Sequence, residues 1–353
     1  MTRNGAMAND AVYTLFDLIS SHRITSAIYV AAKLGLADLL ASGPKTAVEL
    51  AHGAQANEAA VERLMRALVT IGICRIDDAR FVLTEVGAHL AASSPRSLQS
   101  WALFEGEMLQ PSWSGLIESV RTGKTRAELA GAASSFDLMS HDPNAVATFN
   151  AAMADVARLL TPAVAGYDFS DHTMLIDVGG GTGELLAAIL RSYPNLRGAV
   201  FDLARCADAA RRRMQGANLA DRAQFIAGDF FQSVPDGADI MTLKSVIHDW
   251  DDARATQILR NCRRSLPDHG KIILVERVMP EMPAERPLDR ASALSDLNML
   301  RGPGGRERTE AEYRQLLTTA GFRPLRVIPA ERYCLIEGMA LRGNHPQRAK
   351  SSG

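Results

Sequence analysis

The chain has 353 residues, 47% of them hydrophobic, so it is long enough to bury a large core and to form two domains. Its 39 basic and 40 acidic residues give a net charge of -1, which indicates no general attraction to nucleic acid or to an anionic membrane. The four cysteines are widely spaced, so we expect reduced thiols and no metal site. We find no signal-peptide core and no apolar span of ~20 residues, and therefore expect a cytoplasmic protein.

The first predicted elements are helices with more apolar surface than one small core needs. Between Val12 and Leu40 the apolar residues recur at mainly helical spacing, and the run closes at Ser42-Gly43-Pro44. This surplus of apolar residues indicates that part of the segment packs against something else.

The next elements predict a winged-helix-like unit. Thr46–Ala51 offers a capping-box start, and Glu58–Gly72 has the spacing of a second amphipathic helix. Ile73–Ile76 and Phe81–Thr84 then alternate as a short β-hairpin. We therefore assign residues 1–95 to an all-helical, winged-helix-like domain.

Residues 96–165 are predicted to be wholly helical, with breaks at Pro111, Gly131 and Pro143. Their apolar stripes are candidates for a flat substrate slot, although such stripes more often belong to a core. The candidates are Trp101, Phe104, Met108, Phe149 and Met153, with Asn298 and Met299 later in the chain.

From residue 166 the pattern changes to short β-runs that alternate with helices, which is typical of a doubly wound, mostly parallel α/β sheet. We assign this sheet to residues 166–341, with a helix at Thr309–Gly321, and expect a flexible tail at 342–353. The predicted strands are Leu175–Val178, Gly198–Phe201, Ala223–Ile226, Asp239–Leu243, Lys271–Val275, Arg323–Ile328 and Tyr333–Met339.

A glycine turn follows the first of these strands. The spacing Gly179-x-Gly181-x-Gly183 lets the backbone turn sharply and approach a ligand closely. A dinucleotide fingerprint would require glycine where Glu184 stands, and a carboxylate at a helix start repels a pyrophosphate. It suits a positively charged ligand without phosphate, such as S-adenosylmethionine.

The next two strand ends supply groups for the rest of such a ligand. Asp202 lies 19 residues after Gly183, where a carboxylate accepts hydrogen bonds from a ribose diol. Gly228, Asp229 and Phe230 provide a small residue, an acceptor for an exocyclic amine and an aromatic face for adenine.

The following strand end carries a candidate general base, His248. An unperturbed histidine has a pKa of about 6.5 and is partly neutral at cytoplasmic pH, so it can accept a proton. Glu276 and Glu307 occupy positions that can fold back over the same sheet edge and fix the tautomer of the ring. The alternative is that Glu307 pairs only with Arg306 or Arg308 in a surface loop.

Taken together, these residues resemble the S-adenosylmethionine-dependent small-molecule O-methyltransferases. That family includes plant caffeic acid and flavonoid enzymes and bacterial enzymes that tailor phenolic natural products. The resemblance spans nearly the whole chain. It is most specific at Asp177–Gly183, Gly228–Phe231, Lys244–Trp250 and Gly304–Thr309.

The resemblance implies a Rossmann-like class I methyltransferase whose N-terminal domain forms a homodimer. It implies methyl transfer from S-adenosylmethionine to a hydroxyl, best a phenolic one, of a small aromatic or polyketide-type compound in secondary metabolism such as antibiotic biosynthesis. The transfer would be an in-line displacement that leaves S-adenosylhomocysteine, with His248 as base beside Asp249, Glu276 and Glu307. The implied cofactor contacts are Asp177, Gly179, Gly181, Gly183, Glu184, Asp202, Leu203, Gly228, Asp229, Phe230, Lys244 and Ser245.

Three alternatives stay open. A family member could catalyse a different reaction, such as a decarboxylation, with the same bound compound. A nicotinamide-dependent oxidoreductase would share Asp202, but Glu184 and Asp229-Phe230 argue against it. A DNA-binding regulator is disfavoured because the would-be recognition helix, Glu58–Gly72, mixes both charges. Plant-type phenylpropanoid recognition is not expected, since Arg301–Gly304 replaces a segment that often carries Asn in plant members.

Overall fold

The computed structural model describes residues 10–132 and 134–342, and the chain forms two compact units. The first unit comprises Met1–Ser114 and Asp142–Val156, and the second comprises Gly115–His141 and Ala157–Gly353. The predicted tail beyond residue 342 lies outside the described residues, as do the first nine residues. Each helix in the described ranges is too short or too polar to cross a membrane.

The first unit is helical apart from one hairpin. Its winged-helix-like part is confirmed: a capping box at Thr46 starts one helix, Asn57 caps the next, and the hairpin pairs Cys74 with Leu83. The elements are α1 Ala11–Ser20, α2 His22–Lys33, α3 Leu36–Ala41, α4 Ala47–Gly53, α5 Glu58–Thr70, β1 Cys74–Asp77, β2 Arg80–Leu83, α6 Glu85–Ala88, α7 Gln99–Phe104 and α8 Gln110–Ser112.

Two features of this unit differ in how they are packed. Leu50, Met65 and Leu68 belong to a core in which each is almost wholly buried. Helix α1, in contrast, has no buried residue, and large apolar side chains such as Phe16 and Ile19 are exposed. The surplus of apolar surface predicted for this segment is therefore present.

The helical break predicted at Pro111 is wrong. A π-helical turn at Glu105–Leu109 leads into α8, and Pro111 lies in the first turn of that helix. The helical run ends instead at Gly123, which has a φ of 69°.

The second unit contains a seven-stranded sheet, which confirms the predicted doubly wound, mostly parallel architecture. Five neighbouring strands are parallel, and the last two strands of the chain extend the sheet as antiparallel neighbours. The strands are β3 Met174–Val178, β4 Arg197–Asp202, β5 Ala223–Ala227, β6 Ile240–Lys244, β7 Lys271–Glu276, β8 Val278–Met279, β9 Arg308–Thr309, β10 Phe322–Ala330 and β11 Tyr333–Ala340. The order in the sheet is β10-β11-β7-β6-β3-β4-β5, and β8 pairs separately with β9.

Helices cover both faces of this sheet, so its central strands are buried on both sides. Leu175 and Ile176 of β3 and Met241 of β6 are fully buried, as expected for parallel strands. The helices of the second unit are α9 Leu116–Thr122, α10 Arg126–Leu129, α11 Ser135–Ser140, α12 Pro143–Ala165, α13 Glu184–Ser192, α14 Ala207–Gly216, α15 Asp252–Ser265, α16 Pro287–Arg301 and α17 Glu310–Thr319. The first residues of α12 belong to the first unit, as given above.

The parallel strands place their carboxyl ends at one edge of the sheet. Asp177 in β3 pairs with Thr242 in β6, and Lys244 pairs with Val275 in β7. Loops that leave these ends therefore meet at a common edge, which is where ligands bind in open α/β sheets.

Candidate active site

The glycine turn at the end of β3 takes the conformation that its sequence requires. Gly179, Gly181 and Gly183 all have positive φ, at 70°, 56° and 80°. A Cβ at Gly183 would lie 2.4 Å from the terminal methyl of Met214 and 3.0 Å from Val200, so the Met214 side chain would have to move. A Cβ at Gly181 would meet no atom within 4 Å, so this part of the turn faces open space.

Asp202 joins the end of β4 to this turn. Its Oδ2 accepts a hydrogen bond from the Gly181 amide at 2.8 Å, and its Oδ1 accepts one from the Leu203 amide at 2.6 Å. The carboxylate predicted to contact a ribose thus lies beside the glycine turn.

The end of β5 brings an acid and aromatic rings to the same edge. Asp229 Oδ1 accepts from the Phe231 amide at 2.8 Å, and the Phe230 ring lies 5.0 Å from the Phe231 ring. Trp250, which the sequence analysis named as the end of a family motif but not as a site residue, packs edge-on against Phe231 at 4.7 Å and against Phe230 at 6.2 Å. Only its position two residues after His248 could have pointed to it.

Glu184, at the start of α13, is engaged by two guanidinium groups. Arg213 Nε lies 2.8 Å from its Oε2, and Arg158 Nη1 lies 3.4 Å from its Oε1. Its carboxylate charge is thereby balanced within the protein, and its contact with a cofactor remains a prediction.

Buried charges lie beneath the turn. Asp177 accepts from Thr242 Oγ1 at 2.7 Å, its other oxygen has no hydrogen-bond partner, and burial raises its pKa to about 7. Burial lowers the pKa of Lys244, while Asp177, Glu276 and Asp249 oppose that shift. Ser245, the next residue, has a φ of 52°, an unusual value for a residue with a side chain.

His248 lies on a 3₁₀ turn after β6, among three acids. Its Nδ1 is 3.0 Å from Glu307 Oε1 and 3.9 Å from Glu276 Oε2, and its Nε2 is 3.6 Å from Asp249 Oδ1. The hydrogen bond to Glu307 excludes the alternative in which that acid pairs only with neighbouring arginines. It also leaves Nε2 as the nitrogen for a substrate.

The fold gives His248 a pKa different from the unperturbed value of about 6.5 that the residue type predicts. Burial alone lowers the pKa of the ring, but Glu276, Asp249 and Glu307 outweigh it and raise the pKa to about 10. The sequence predicts these acids near His248, but the shift depends on their distances from the ring and on burial, which only the fold sets.

The acids around His248 are themselves held in place. Glu276 Oε1 accepts from the amides of Val246 and Ile247 at 3.0 and 2.7 Å. Glu307 Oε1 accepts from Ser295 Oγ at 2.6 Å, and its own amide donates to Asp296 Oδ1 at 2.8 Å. Sequence reasoning missed Ser295 and Asp296, which follow the helical pattern of α16 without any distinguishing motif.

The acidic character of this edge favours a cationic ligand over an anionic one. Burial, with further repulsion from Glu307, raises the pKa of Glu276 to about 7 and that of Asp249 to about 6. A positive charge nearby would relieve this cost, whereas a pyrophosphate would add to it. In the described part of the chain, no three His, Cys, Asp or Glu side chains are arranged to hold a metal ion.

The predicted substrate residues lie in both units. Within the first unit, the Phe104 ring lies 5.7 Å from both the Trp101 and Phe149 rings. Met108 is on the π-helical turn, and Met153 is on α12. Within the second unit, Asn298 and Met299 are on α16, where Asn298 Oδ1 accepts from Arg301 Nη2 at 2.5 Å. Their contact with a substrate remains a prediction.

Comparison with known proteins finds two family models. Residues 113–323 match an O-methyltransferase domain, and residues 16–93 match an O-methyltransferase dimerisation domain.

Similar proteins cover almost the full length of the chain. A phenazine O-methyltransferase of Lysobacter antibioticus is 39% identical over 93% of this chain and 95% of its own length. The mitomycin biosynthesis 6-O-methyltransferase of Streptomyces lavendulae is 36% identical over 90% of each chain. An O-methyltransferase from neocarzinostatin biosynthesis, solved with S-adenosylmethionine and 2-hydroxy-5-methyl naphthoic acid, has a TM-score of 0.73 and 33% identity, covering 90% of this chain and 96% of that one.

Proposed function

Because this chain belongs to the O-methyltransferase family, we propose that it methylates a phenolic hydroxyl of a small aromatic or polyketide-type natural product, with S-adenosylmethionine as the methyl donor. The observation that carries this proposal is the meeting, at one sheet edge, of an open glycine turn with a histidine surrounded by acids.

The donor site would be formed by groups at the ends of β3, β4 and β5. When bound, S-adenosylmethionine supplies an electrophilic methyl group on a positively charged sulfur. The Gly179–Gly183 turn gives close backbone approach, Asp202 offers its carboxylate to a ribose, and Asp229 with Phe230 serves an adenine. The buried carboxylates Asp177 and Glu276 suit the positive charge of this donor.

The acceptor is proposed to be a flat aromatic hydroxyl compound. A relative of the same family was solved with a hydroxylated naphthoic acid, and two others are named as a phenazine O-methyltransferase and as a 6-O-methyltransferase of mitomycin biosynthesis.

The proposed role of His248 is to hold the proton of the acceptor hydroxyl at Nε2. A free phenol has a pKa of about 10, and the pKa of the His248 ring is raised to about 10 as well. Transfer of the proton from the phenol to the neutral ring therefore costs little free energy and produces an oxygen nucleophile paired with an imidazolium. A positively charged donor bound nearby would lower the pKa of the ring and so favour the neutral form that accepts the proton. Glu307, hydrogen-bonded to Nδ1, orients the ring and stabilises its positive charge.

A homodimer is the proposed assembly. The matched dimerisation domain includes residues of α1, and that helix exposes Phe16, Ile19 and other large apolar side chains. A second copy of the chain would cover them. Light scattering at micromolar concentration is expected to give twice the monomer mass, and a monomer there would refute this assembly.

Ligand binding provides the first test of the donor. Calorimetric titration with S-adenosylhomocysteine is expected to show micromolar binding, while oxidised and reduced nicotinamide dinucleotides are expected not to bind. Binding of a dinucleotide alone would refute the methyltransferase proposal. Given donor binding, transfer of a labelled methyl group to hydroxylated naphthoic acids and phenazines tests the acceptor class.

A further inference from the structure

We propose that Arg308 is a positioning residue that fixes the turn of His248, an inference that rests on the proposed role of His248 in catalysis. Arg308 directly follows Glu307 in the chain, and its side chain is fully buried. Glu307 holds the ring of His248, whereas Arg308 holds the backbone from which that ring projects.

Two carbonyl groups of the turn accept hydrogen bonds from the Arg308 guanidinium. Nη1 donates to the Ile247 carbonyl at 3.0 Å, and Nη2 donates to the Trp250 carbonyl at 2.7 Å. These carbonyls lie on either side of His248 and Asp249 in the chain. One rigid, planar group therefore fixes both ends of the segment that carries the proposed base.

Asp252, the first residue of α15, anchors the guanidinium. Arg308 Nε and Nη2 donate to Asp252 Oδ1 at 3.0 and 2.8 Å. Arg306 donates to the other oxygen of the same carboxylate at 3.0 Å, but its side chain is partly exposed and it also pairs with Glu312. The buried charge of Arg308 is thus compensated, and its orientation is fixed from α15.

The turn is also closely packed on its other sides. Gly305 approaches the backbone of His248 and Trp250 so closely that a Cβ there would overlap it. Glu276 accepts from the amides of Val246 and Ile247 at the start of the turn. If Arg308 lost these hydrogen bonds, the turn could shift while Glu307 stayed hydrogen-bonded to Ser295 of α16. The 3.0 Å contact between Glu307 and the His248 ring would then lengthen.

The first test compares Arg308→Lys with the matched control Arg306→Lys. Both changes keep the positive charge next to Asp252, but only the first removes the planar fork that reaches the two carbonyls. The readout is ¹⁵N NMR of the His248 ring nitrogens, whose signals are assigned by their loss in His248→Gln. This measurement can be made without an acceptor substrate. We expect the ring pKa to move by about one unit or more in Arg308→Lys and to stay unchanged in Arg306→Lys.

The second test is kinetic and uses a double variant. Arg308→Lys is expected to lower kcat at least about tenfold, since small misplacements of a catalytic group have effects of that order. The KM values and the affinity for S-adenosylhomocysteine should change less than twofold. In the His248→Ala background, Arg308→Lys should cause no further loss, because the group on which it acts is gone.

Several results would overturn the inference. These are an unchanged ring pKa in Arg308→Lys, an equal loss of kcat in both backgrounds, or a large loss of S-adenosylhomocysteine affinity. If Arg308→Lys does not fold, Asp252→Asn weakens the same anchor from a partly exposed position and should give a smaller shift in the same direction. If the protein binds S-adenosylhomocysteine but methylates no acceptor, the proposed function is refuted. The Arg308 inference would then still be tested, because the ring pKa is measured without methyl transfer.

Discussion

The glycine turn and the His248 turn lie at the same sheet edge but are built in opposite ways. The glycine turn is held by its own backbone and by one neighbouring strand: Gly183 bonds to Gly180, while Gly179 and Gly181 bond to residues at the end of β4. The His248 turn depends on side chains that arrive from β7, α16 and the segment just before α17. The glycine turn therefore depends on β3 and β4 alone for these bonds, whereas the His248 turn responds to changes in three other segments.

His248→Ala would remove the proposed base from the His248 turn and leave the glycine turn intact. We expect turnover to fall at least about a hundredfold, the usual contribution of a general base, and S-adenosylhomocysteine affinity to change less than twofold. Steady-state kinetics and calorimetry would measure the two effects. His172→Ala is a matched control, because that partly buried histidine pairs with Asp239 away from the site. Full turnover in His248→Ala would remove His248 from the mechanism.

Gly181→Ala would test the first turn in the same manner. Both Gly181 and the control Gly123 have positive φ and open space for a Cβ, so each alanine costs a similar ~1–2 kcal/mol of stability. Only Gly181 lies beside Asp202, and we expect only its replacement to weaken S-adenosylhomocysteine binding, by about tenfold or more. Equal affinities of the two variants would show that the cofactor does not contact this turn.

Glu276→Gln would test whether the buried acid at the start of the His248 turn makes the stability of the protein depend on pH. Burial raises the pKa of Glu276 to about 7 from 4.5, so its stabilising contribution is complete below pH 4.5 and is lost as the pH rises through 7. Glutamine does not titrate but can still accept from the two amides. The fall in Tm between pH 5 and pH 8 is therefore expected to be a few degrees smaller in the variant. An identical fall in both proteins would show that Glu276 is not the titrating group.

The same contrast explains what the sequence could predict. The central strands were placed within one residue, and the glycine turn was found, because periodicity and glycine spacing are local signals. The roles of Ser295, Asp296 and Arg308 left no such signal. Their partners lie up to 61 residues away and are set by how α16 and β9 pack.

The pKa of His248 departs from the sequence-based expectation for a related reason. An isolated histidine predicts a pKa near 6.5, whereas the fold surrounds it with three carboxylates. The sequence predicts a candidate base and the three acids beside it, but only the tertiary structure gives the burial of these groups and their distances from the ring.

The adjacency of Glu307 and Arg308 has a consequence for engineering. One short segment orients the ring and also secures the backbone that carries it, with Asp252 as its counterpart on α15. A chimera made from two homologous enzymes should therefore exchange residues 304–308 as one block and keep Asp252 with them. A crossover placed between 307 and 308 would combine a ring partner from one parent with a backbone clamp from the other.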